Sequence, residues 1–71
     1  MPQASDGDKL AIRLSHWMEH NNEHAREFRE WGQKAGSLGH GAASDDIMRA
    51  AEQLSKVNEF LLAAAEKLKG E

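Results

Sequence analysis

The chain has 71 residues, a net charge of −3 and no cysteine, a size that holds at most one small domain. With 39% hydrophobic and 30% charged residues it is too apolar for a disordered segment and ordinary for a helical protein. The missing cysteine excludes disulfides, thiolate metal sites and cysteine nucleophiles. The basic residues are scattered among acids, whereas nucleic-acid binding needs them clustered on one face.

A first helix is predicted over about 6–35. Ser5 or Asp6 suits its N-cap, and Asp8, three residues after Ser5, completes a capping-box pattern. Leu10, Leu14, Trp17, Asn21, His24, Phe28, Trp31 and Ala35 then follow in alternating steps of four and three. That spacing is an unbroken heptad seam. Ala11, Met18, Ala25 and Gly32 flank it. Gly36 is the expected stop.

The stretch GSLGHGAAS over 36–44 reads as the loop. Ser44, followed by Asp45 and Asp46, is the expected cap of a second helix over about 45–69. Its seam runs Ile47, Ala51, Leu54, Asn58, Leu61, Ala65, Leu68 in the same heptad steps. Such a short loop forces the helices antiparallel, so residues 1–71 form one all-α hairpin domain. Pivoting about His40 pairs positions whose numbers sum to about 80. Asn21 then lies opposite Asn58, Trp17 faces Leu61 and Leu62, and Trp31 faces Ile47 and Ala51.

A hairpin this small, without disulfides, rarely builds a sufficient core alone. Ala50, Val57, Phe60 and Ala64 lie at helical spacing beside the second seam and make a candidate face for a second copy. Two hairpins related by a two-fold axis would form a homodimeric four-helix bundle.

Three polar residues interrupt the seams: Asn21, His24 and Asn58. Buried amides cost stability unless bonded, and their best-attested role is to fix register and partner number. A satisfied layer of these three is the first expectation. The alternative is metal binding. HWMEHNNEHA over 16–25 spaces His16, His20 and His24 four apart, so they rise along one side of a helix. His20 and His24 are the better chelating pair, with Glu27, and more remotely Glu23 and His16, as further donors for zinc, nickel or cobalt. The Glu-x-x-His pair of di-metal bundles is absent, because Trp17 and Asn21 stand three residues before His20 and His24.

Glu19, Glu23, Glu27 and Glu30 alternate with Arg26 and Arg29 and read as a solvated, ion-paired face. Ser15, Ser37, Ser44 and Ser55 have no nucleophile-elbow or triad context, and the glycine-rich loop lacks a phosphate-binding Lys-Ser/Thr tail. An enzyme is not expected. No charged-then-apolar leader opens the chain and the longest apolar run is 61–65, which predicts neither secretion nor membrane spanning. A cytoplasmic protein with itself as partner is the expectation.

The block from Leu14 to Trp31 resembles one in small uncharacterised prokaryotic proteins and C-terminal domains that reads His-Trp-x-x-His-Asn-x-Glu-His-Ala-x-x-Phe. Here it is carried by His16, Trp17, His20, Asn21, Glu23, His24, Ala25 and Phe28. The resemblance implies a helical hairpin domain of unknown function and names no activity.

Overall fold

The computed structural model describes residues 5–70. Two helices, α1 (Asp6–Ser37) and α2 (Gly41–Gly70), account for nearly all of them and pack against each other as an antiparallel hairpin. At the start of α1 the Asp8 N–H donates to Ser5 Oγ at 3.1 Å and the Ser5 N–H donates to Asp8 Oδ2 at 3.3 Å, closing the expected capping box.

The turn is tighter than the sequence predicts, and both of its expected signals are displaced. Gly36 stays helical. The stop is Gly39, whose φ of 88° lies in the left-handed region that favours glycine. The Gly39 N–H donates to the Gly36 carbonyl and the His40 N–H to the Ala35 carbonyl at 2.9 Å, the paired bonds of a Schellman ending. With α2 starting at Gly41 rather than near residue 45, Ser44 is not a cap. Its N–H bonds the His40 carbonyl, and its hydroxyl donates to the Gly32 carbonyl at 2.6 Å. A Cβ at Gly36 would sit 3.4 Å from Ser44 Oγ, an ordinary contact, so the approach does not depend on that glycine.

The helices meet along two adjacent heptad rows each. On α1 these are Leu14, Asn21, Phe28, Ala35 and Met18, Ala25, Gly32; on α2 they are Ile47, Leu54, Leu61, Leu68 and Ala51, Asn58, Ala65, all buried or half-buried. The predicted register near 80 holds, as the contacts of Asn21 with Asn58 and Gly32 with Met48 show. The contact line of α1 is not the predicted one. The small residues that flank the predicted seam, Ala25 and Gly32, are buried in it, while Leu10, Trp17 and Trp31 are exposed, Trp31 to 61%. A step pattern of four and three fits two neighbouring pairs of rows equally well. Ala25, Gly32 and Ala51, the last at 0% exposure, let the backbones close in where tryptophans would hold them apart.

At Gly32 this closeness gives a sharp expectation. A Cβ there would lie 2.7 Å from Met48 Sδ and 3.4 Å from Ile47 Cγ2. Gly32→Val should therefore destabilise the hairpin by about 1–3 kcal/mol through overpacking, read by chemical denaturation. A variant as stable as the parent would mean that the Met48 side chain swings aside at little cost.

The hairpin is long and thin. Its extents are 57 × 22 × 11 Å and its radius of gyration 16.5 Å, against about 11 Å for a compact domain of this length. Among the described residues the buried apolar side chains are Leu14, Ala25 and Ala51, and no large side chain is fully buried. No described helix is long and apolar enough to cross a membrane.

Candidate functional site: a polar clasp, a histidine pair and an unpartnered face

Asn58 is the centre of the polar layer. Asn21 Nδ2 donates to Asn58 Oδ1 at 3.0 Å, and Asn58 Nδ2 donates to the Met18 carbonyl at 3.0 Å and to Asn22 Oδ1 at 2.8 Å. One side chain of α2 thus bonds two side chains and one backbone group of α1. The third side chain of the layer is Asn22, not His24. Asn22 lies outside the heptad seam, so seam spacing alone could not find it; the Asn-Asn doublet was the available signal. No buried side-chain N or O among the described residues lacks a partner.

His24 instead bonds along its own helix. Its Nε2 stands 2.8 Å from His20 Nε2, one nitrogen carrying the proton and the other accepting. The rings of His20 and His24 meet edge to face with centroids 4.4 Å apart, and His16 and Phe28 extend the ladder at 6.4 and 5.9 Å. His16, Glu23 and Glu27 are exposed on α1 and do not join the pair, and no group of three or more metal-ligating side chains forms among the described residues. The charged face of α1 is exposed and forms no ion pair among the described residues. The ion pair found among the described residues is Asp46 with Arg49 on α2 at 3.8 Å, and Arg29 bonds Ser55 Oγ across the helices instead. Exposed pairs gain too little to hold long side chains in place.

The two broad sides of the hairpin differ. On each helix, the row four residues before the first contact row is Leu10, Trp17, His24, Trp31 on α1 and Ala50, Val57, Ala64 on α2. Antiparallel helices are related by a two-fold axis normal to their common plane, so equivalent rows emerge on the same side. Trp17 and Val57 are 42% and 44% exposed there. A further four residues back, His20 on α1 and Phe60 on α2, the latter 77% exposed, occupy the outer edges. The opposite side carries the cross-helix bonds of Asn22 and Arg29. Ala50, Val57 and Ala64 thus lie on this side of α2 with Phe60 at its edge, beside the aromatic residues displaced from the α1 seam. Lys34 Nζ stands 4.8 Å from the Trp31 ring, a cation–π contact on its rim.

A family model described as a domain of unknown function, DUF8180, matches residues 10–68. The chain belongs to this family. The match spans the packed part of both helices of this DUF8180 chain and agrees with a resemblance to an uncharacterised domain. No curated protein and no solved structure matches the chain.

Proposed function

We propose that this chain is a self-assembling, non-enzymatic helical module, in which two hairpins bury their apolar faces on a two-fold axis to form a homodimeric four-helix bundle. The observation that carries this is the unpartnered face bearing Leu10, Trp17, Trp31 and Val57. Soluble monomers rarely leave so much contiguous apolar surface open. The hairpin also lacks the core expected of an independently stable fold. The broad side, 57 Å long and 22 Å wide, has room for a standard stable interface of roughly 800 Å² per partner.

The pattern on the face is itself symmetric. Trp17 and Trp31 stand seven residues either side of His24, and Ala50 and Ala64 seven either side of Val57. The Asn21–Asn58 contact puts His24 and Val57 at nearly the same height. A two-fold axis across the helices at that height repeats the pattern on the second copy, with tryptophan beside tryptophan level and alanine beside alanine level.

Both tryptophans lie on this face, so their emission reports its burial. At micromolar concentration it should be blue-shifted and shielded from acrylamide, moving towards the solvent-exposed spectrum on dilution. Exposed emission at every concentration would contradict the proposal.

A further inference from the structure

We infer that His20 and His24 are half of a divalent transition-metal site, of the zinc class, which a second copy closes with its Glu27. The inference rests on the two-fold packing proposed above. Its starting point is the 2.8 Å between the two Nε2 atoms. Two imidazole nitrogens bound tetrahedrally to one zinc ion at 2.0–2.1 Å lie about 3.3 Å apart. The pair is therefore within a small ring rotation of a chelating geometry. The proton it now shares is the one an ion displaces, since metal-bound imidazole nitrogens must be deprotonated.

Two ligands are too few. Zinc sites take three or four protein donors, and no third gathers with them among the described residues of one hairpin. The symmetry of the face supplies one. With the axis at the height of His24, residues of one α1 lie opposite residues of the other whose numbers sum to about 48. Trp17 then meets the level of Trp31, and His20 meets that of Glu27. His20 and Glu27 belong to the same outer row, Arg13, His20, Glu27, Lys34, so both point towards the same side of the α1–α1 contact. Each dimer holds two such sites, with imidazole and carboxylate donors suited to zinc, cobalt or nickel.

The test begins with metal-free protein in chelator, whose mass reports dimerisation by itself. Zn(II) is then titrated by calorimetry, and Co(II) by the visible bands of a tetrahedral ion. The expected result is one ion per chain, with uptake lost in His24→Ala and weakened in Glu27→Gln but kept in His16→Ala. Mixing the His24→Ala and Glu27→Gln proteins should restore tight sites, because one chain brings the histidines and the other the carboxylate. A dimer that takes up no Zn(II) overturns the site and leaves the assembly standing. A chain monomeric with and without Zn(II) overturns both. Binding that ignores Glu27→Gln, or a mixture no better than its components, overturns closure by the second copy.

Discussion

Asn58→Leu should lower the stability of the hairpin by about 1–3 kcal/mol, the cost of leaving part-buried polar groups without their partner. The exchange strands the part-buried Asn21 amide, bonded to Asn58 at 3.0 Å, while the Met18 carbonyl loses its second bond and keeps the one within its helix. Asn22 is exposed and turns to water. The added apolar surface of leucine offsets some of the loss, so a second variant separates the two effects. In Asn21→Leu/Asn58→Leu both amides are gone, and replacing both partners of a buried bond is far less costly than replacing one. The double variant should be more stable than Asn58→Leu alone, with an interaction energy of about 0.5–3 kcal/mol in the cycle. It should also lose definition of register, the property that buried amides in helical seams confer. Denaturation at one fixed protein concentration measures the first, because dimerisation makes apparent stability concentration-dependent. Amide exchange along both helices measures the second. Single variants with unchanged stability would mean that the clasp is not formed in solution.

Val57→Glu should separate the two copies. Val57 lies at the middle of the apolar face, at the height of the proposed axis, so the dimer would bury two carboxylates close together without partners. Burying unpaired charge is strongly unfavourable, and central interface positions carry costs of about 2 kcal/mol or more, at least roughly thirtyfold in dissociation constant. Trp31→Glu, which removes an aromatic anchor from the same face, should act in the same direction. Ser15→Glu places the same charge on the opposite broad side and should leave the assembly unchanged. If Ser15→Glu dissociates the dimer and Val57→Glu does not, the interface is on the wrong side.

Much of this architecture is legible in the residues. Heptad steps give both helices, Ser5 with Asp8 gives the first cap, and a short loop gives antiparallel packing with a register close to that observed. What the steps do not give is rotation about each helix axis. The run from Leu10 to Ala35 reads as one seam, yet only its Leu14, Asn21, Phe28 and Ala35 half faces α2, because the small side chains of Ala25 and Gly32 permit the closer approach. This turns Trp17 and Trp31 outward and creates most of the exposed face. The position of the loop is hidden for a similar reason. Gly36 and Ser44 look like a stop and a cap in isolation, but Gly36 stays helical, and the bond of the Ser44 hydroxyl to the Gly32 carbonyl exists only once the helices are side by side.

Of the candidate residues, Asn21 and Asn58 meet as their spacing suggests, while His24 turns to His20. Its row faces the unpartnered side rather than α2, and its own helix supplies its partner, four residues away.

The most direct test is the mass of the chain in solution by sedimentation equilibrium, in chelator, across the micromolar range. A species of twice the 7.9 kDa chain mass, reduced to the single-chain mass by Val57→Glu, is the expected result. A folded chain of 7.9 kDa at every concentration would contradict assembly through the apolar face.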